Sequence, residues 1–130
     1  MTEAEEADFL ERRRAADNQI SILALVEGEI IGALNFSGGR RLRVRHSGEF
    51  GMSVSKVYWG QGVGSLLLDT LLSWARQTGI VKKINLRVRT DNHRAVALYE
   101  RKGFVEEGML TKGMFVGGRY YDLLAMGRKL

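Results

Sequence analysis

The 130-residue sequence contains no cysteine and no proline. The first absence excludes disulfides, thiolate metal sites and a cysteine nucleophile. The second leaves turns to glycine, asparagine and aspartate, and 16 glycines are available for them. No apolar run approaches the about 18 residues that a membrane-spanning helix requires, so no membrane partner is expected. The opening stretch, Met1 to Arg14, is acidic and then basic and lacks the apolar centre of a secretory leader. A cytoplasmic location is the default expectation.

Hydrophobic residues make up 45% and charged residues 27%, the balance of a globular chain. The length fits one domain spanning 1–130, enough for a single real core. The net charge of +5 suits nucleic acid, an anionic surface or a phosphate-rich small ligand, and charge alone does not choose among them.

Patterning supplies the elements. Thr2 to Asp17 reads as a helix, with Thr2 as N-cap, Glu5 completing a capping box, and Phe9 and Leu10 as a thin apolar stripe. Ile20 to Glu27 and Glu29 to Phe36 read as a hairpin turning at Glu27-Gly28. In Glu49 to Ser55 the apolar Phe50, Met52 and Val54 alternate with Glu49, Gly51 and Ser53, which gives a strand two distinct faces. After it comes Trp59-Gly60-Gln61-Gly62-Val63-Gly64-Ser65, which runs into a helix striped by Val63, Leu67, Leu71 and Trp74 and ended by Gly79. Lys83 to Thr90 is a strand. Asp91-Asn92 can cap a second helix that reaches Arg101, with Gly103 beyond it as a C-terminal cap. Phe104 to Glu107, Met109 to Val116 and Tyr120 to Lys129 read as closing strands. The strand–helix–strand stretch from Glu49 to Thr90 needs a crossover and hence local parallel pairing. The expected fold is α/β of the α+β kind, a mixed and mostly antiparallel sheet with helices on both faces.

The glycine turn carries the chemistry. A strand, a glycine-rich turn and a helix N-terminus together present free N–H groups and a positive dipole end to an anion. The GxxxxGK phosphate loop is missing. The dinucleotide fingerprint GxGxxG fails because Ser65 stands at its third glycine. Taken alone, the turn could also be a flexible connection that binds nothing.

The run EFGMSVSKVYWGQGVGSLLL, Glu49 to Leu68, resembles the acetyl-CoA-binding motif of the GNAT superfamily of N-acetyltransferases, whose pattern is Arg or Gln, two residues, Gly, one residue, then Gly or Ala. Gly62 and Gly64 match its glycines, and Trp59 stands where the family has Arg or Gln. A second run, TDNHRAVALYERKGFVEEG, fits the family through Asn92, Ala95, Tyr99, Gly103 and Phe104. The resemblance covers roughly Gln19 to Leu130, and it implies that the family's first strand and helix are missing here. It also implies acetyl-CoA as acyl donor, with no metal. The pyrophosphate would lie over Gly60, Gln61, Gly62, Val63, Gly64 and Ser65 beside Trp59, and the pantetheine would lie along Met52, Ser53 and Val54 and meet Asn92. Tyr99, near the sulfur beyond Ala95, would be the general acid.

Acetyl transfer needs a proton for the leaving thiolate, and a phenol with pKa near 10 still holds one at neutral pH. By spacing alone Tyr99 reads as a core tyrosine packed with Ala95 and Val96. Glu49 is the candidate base on the strand entering the site, and a salt bridge to one of Arg40 to Arg45 is the structural alternative. Lys102, with Arg101, could reach the distal phosphate. The basic run Arg40 to Arg45 reads as a solvated edge strand, and nucleic acid is disfavoured because no aromatics interleave for stacking. The chain is expected to acetylate a primary amine on a peptide N-terminus, a polyamine or a small amino compound. The competing reading is an inactive CoA-binding regulator. With no strand ahead of it, Ile20 to Val26 would be an exposed apolar edge, which points to a homodimer.

Overall fold

The computed structural model describes residues 9–130. Seven strands form one sheet in the order β1-β2-β3-β4-β5-β7-β6. In chain order these are β1 (Phe9–Ala16), β2 (Gln19–Val26), β3 (Glu29–Gly38), β4 (Ser47–Val54), β5 (Lys83–Arg89), β6 (Val105–Val116) and β7 (Arg119–Lys129). Helix α1 (Val63–Thr78) joins β4 to β5, and α2 (His93–Arg101) joins β5 to β6. Among the described residues only β4 and β5 pair in parallel; every other neighbouring pair is antiparallel.

Alternation along the strands assigns one face to the core. Ile20, Ile22 and Ala24 of β2 stand opposite Phe36, Leu34 and Gly32 of β3, which in turn face Phe50, Met52 and Val54 of β4. Residues directly opposite on antiparallel strands share a face, so these side chains form one apolar surface. The α1 stripe covers it: the Phe36 and Trp74 rings meet edge to face at 5.9 Å, and Val63 and Leu67 sit over Gly32. Helix α2 packs on the same surface through Tyr99, whose ring is 5.9 Å from Phe50. Among the described residues, therefore, both helices cover one face, whereas the sequence reading expects helices on both. The other face carries Ser21, Asn35, Glu49 and Arg87, tied by side-chain hydrogen bonds from Ser21 to Asn35 and from Arg87 to Glu49.

The first element departs from expectation. The capping box at Thr2 and Glu5 lies outside the described residues, but residues 9–16 of the expected helix form strand β1 instead. It pairs antiparallel with β2 from Phe9↔Leu25 to Ala16↔Gln19. The free edge of β2 offers a row of backbone donors and acceptors, and a segment with so thin an apolar stripe gains more by satisfying them than by coiling. The β2 edge expected to be exposed is thus covered, and the homodimer argument built on it falls away. The other outermost strand, β6, keeps an open edge and is exposed along its whole length.

The basic run is likewise no edge strand. Arg40 to Arg45 form a turn between β3 and β4. Buried Asn18 closes it by donating from Nδ2 to the carbonyls of Gly39 (2.9 Å) and Arg45 (3.1 Å).

Candidate functional site

Strands β4 and β5 stay together only over Ser47↔Lys83, Gly48↔Ile84 and Glu49↔Asn85. Beyond Glu49 they part. β5 remains paired along its other side with β7, so Phe50 to Val54 face an opening where a neighbouring strand would lie. The last joined residues are pinned by side chains. Asn85 donates from Nδ2 to Ser47 Oγ and to the Gly48 carbonyl, both at 2.9 Å. Glu49 bridges to Arg87 across the fork at 2.6 and 2.9 Å.

A cavity of about 510 Å³ fills the opening, lined by Met52, Ser53 and Val54 of β4, the turn from Tyr58 to Ser65 apart from Gln61, and Asn92, Leu98 and Tyr99 at α2. The turn takes its shape from glycine. Gly60 (φ +77°) and Gly62 (φ +89°) hold left-handed backbone that other residues adopt at a cost. Gly62 is also the N-cap of α1 and supplies no side chain to cap it, so the N-terminal amides of a 16-residue helix point onward unclaimed by a capping group. No acidic residue occupies the first turn to compete for them. Such an end attracts a phosphate.

Of the residues expected at the site, Met52, Ser53, Val54, Trp59, Gly60, Gly62, Val63, Gly64, Ser65, Asn92, Ala95 and Tyr99 all line this cavity. Asn92 is the N-cap of α2, its Oδ1 accepting from Ala95 N at 3.2 Å. Tyr99 is 8% exposed, wedged against Phe50 and Phe104, and burial pushes its phenol above the ordinary value. Its proton is therefore held through the neutral range.

Three expected residues lie elsewhere. Gln61 turns back to hydrogen-bond the Val57 carbonyl at 3.1 Å. Lys102 pairs with Asp69 at 2.9 Å, so its charge braces α2 against α1 instead of reaching a phosphate. Glu49 does not line the cavity; both carboxylate oxygens are taken by Arg87, whose own pKa is raised by that hydrogen bond and charge. The salt-bridge alternative for Glu49 is realised, with a partner on β5 instead of in the arginine run. Arg94, which sequence reasoning missed, lines the cavity together with Arg101. A cation in the first turn of a helix, against the dipole, was its only signal. Among the described residues no group of three or more His, Cys, Asp or Glu could hold a metal ion.

Residues 1–104 match the model of the acetyltransferase (GNAT) family. Over 120 residues the chain is 33% identical to a spermidine N(1)-acetyltransferase of Vibrio cholerae, covering 92% of this chain and 64% of that protein. It is 29% identical over 124 residues to the L-amino acid N-acetyltransferase AaaT of Escherichia coli, covering 94% of this chain and 76% of that one. Among solved structures, a GNAT-family acetyltransferase from Streptococcus pneumoniae has a TM-score of 0.86 and 40% identity over 89% of this chain and 70% of its own. The chain thus spans less than two thirds of the spermidine enzyme's length.

Proposed function

The chain belongs to the GNAT family of acetyltransferases, and from that premise we propose that it transfers an acetyl group from acetyl-CoA to a primary amine. The observation that carries this reading is the fork between β4 and β5, with a glycine turn and an uncapped helix N-terminus at its mouth. The pantetheine lies along Met52 to Val54, where β4 lacks a neighbour, and the pyrophosphate lies over the turn.

Transfer proceeds directly. The amine nitrogen attacks the thioester carbon, the C–S bond breaks, and the departing sulfur takes the proton of Tyr99. The amine's proton leaves to solvent, and Tyr99 regains one from solvent. Glu49 enters this reading as the staple of the fork instead of the base, since Arg87 occupies both its oxygens. The acceptor is a polyamine, an amino acid or a peptide N-terminus, chemistries that share a free amine. The relatives named for spermidine and for L-amino acids support that range.

Release of free thiol from acetyl-CoA with a panel of amines, with products read by mass spectrometry, tests the activity. Calorimetry tests the donor site: Gly62→Asp puts a charge and a side chain at the pyrophosphate, and unchanged affinity in a folded variant would overturn the assignment. A homodimer belongs to the same reading, moved from β2 to the open edge of β6, where Met109, Leu110, Met114 and Phe115 are exposed. Light scattering at micromolar concentration should show a dimer that Phe115→Lys dissociates; a clean monomer of the parent chain removes it.

A further inference from the structure

Two facts at the cavity mouth have no explanation in the fold. Trp59, at the position where the family's pattern has Arg or Gln, is 51% exposed, yet its indole N–H is fixed to the Val54 carbonyl at 2.7 Å. Arg94 stands in the first turn of α2, where the positive end of the dipole disfavours a cation. The two residues meet. The Arg94 guanidinium lies 5.5 Å from the centre of the Trp59 ring, within the range of a cation–π contact. Its Nη2 comes so close to the turn that a methyl group at Gly60 would lie 2.8 Å away. Among the described residues no carboxylate pairs with it; the ion pairs near the site use Arg87, Arg89 and Lys102.

We propose that Arg94, held on the face of Trp59, is the pyrophosphate-binding cation of the donor site and supplies the positive charge that the family's pattern places at position 59. The inference rests on the acetyl-CoA reading above and adds to it the residue that makes the turn selective for a diphosphate. Trp59 then serves as a platform. It is pinned by its own N–H and keeps the guanidinium plane over Gly60, so the two phosphates meet backbone amides from α1 on one side and a fork of N–H donors on the other. Relocating the cation from the turn to the facing helix keeps a positive charge beside the Trp59 ring and Gly60. Arg101, two turns further along α2, also lines the cavity and is the natural comparator.

The test is calorimetry of the full chain with CoA and with 3′-dephospho-CoA. Arg94→Ala should weaken both ligands by the same factor, about 10- to 100-fold for a lost charge-assisted contact. Arg94→Lys should recover only part of it, because a point charge lacks the planar fork. Adding Trp59→Arg to the Arg94→Ala chain should restore most of the affinity by returning the charge to the pattern's position. The melting temperature of the free protein should stay level in Arg94→Ala and Arg94→Lys, since Arg94 is exposed. Affinity for both ligands unchanged in Arg94→Ala overturns the proposal. So does a loss confined to CoA, which would put Arg94 on the 3′-phosphate. If the parent chain binds neither ligand, the donor-site reading itself fails, and that outcome is distinct from either.

Discussion

The two faces of one sheet obey different rules. On the covered face, Phe36, Phe50 and Phe104 are nearly inaccessible, and their rings interlock with one another and with Trp74 and Tyr99 at 5.8 to 6.1 Å. On the other face of the sheet, Ser21 with Asn35 and Glu49 with Arg87 make exposed polar contacts. The first face holds the molecule together and shapes one wall of the cavity. The second contributes little to stability, because exposed pairs exchange water for each other at almost no net gain. Tyr99, the proposed general acid, packs on the stabilising face, so on that proposal chemistry and packing share one surface.

That contrast can be broken on the covered face first. Phe50→Ala should cost about 3–5 kcal/mol by leaving a cavity between Tyr99 and Phe104, read as a large drop in the denaturant midpoint. A loss under about 1 kcal/mol would mean that the aromatic cluster collapses without cost.

Tyr99→Phe sharpens the same face by separating its two roles. Packing is kept, so donor affinity and fold should change little, while transfer slows by about 10²–10⁴-fold, the usual range for a lost general acid. The phenol also couples to alkaline stability. Its folded pKa lies above the unfolded value near 10, so its contribution is complete below about pH 10 and is lost as pH rises through the folded pKa. The phenylalanine variant should therefore unfold at a higher alkaline pH than the parent chain, and coincident alkaline transitions would show that Tyr99 does not titrate in a buried site.

On the open face the smallest effect is expected. Glu49→Gln should lower stability by less than about 1 kcal/mol and leave the shape of the pH–rate profile intact. A profile that loses activity selectively at low pH would return the base role to Glu49.

Much of the covered face was legible in the sequence because its signals are local. Alternation in Phe50, Met52 and Val54, the α1 stripe and the glycines at 60, 62 and 64 each need only neighbouring residues to be read. What escaped depends on residues far apart in the chain. β1 is a strand because an unpaired β2 edge lies beside it, although its own composition suits a helix. Asn18 reaches Arg45, 27 residues away, and Glu49 reaches Arg87, 38 away, and neither partner is distinguished by spacing. Arg94 was hidden differently. Its partner, Trp59, stands where the family has Arg or Gln, and only geometry shows the two in contact.

The brevity of the β4–β5 junction has a dynamic consequence. Two antiparallel plates, β1 to β4 and β5 with β7 and β6, are sewn together along only the stretch Ser47↔Lys83 to Glu49↔Asn85. Such a seam is a natural boundary between cooperative units of local opening. Without a donor, the amides on either side of the fork should exchange with deuterium sooner than those of β2 and β3. A ligand lying in the fork as proposed would hydrogen-bond to one plate and pack on the other, acting as the missing stitch. Binding should then raise protection in strands it never touches.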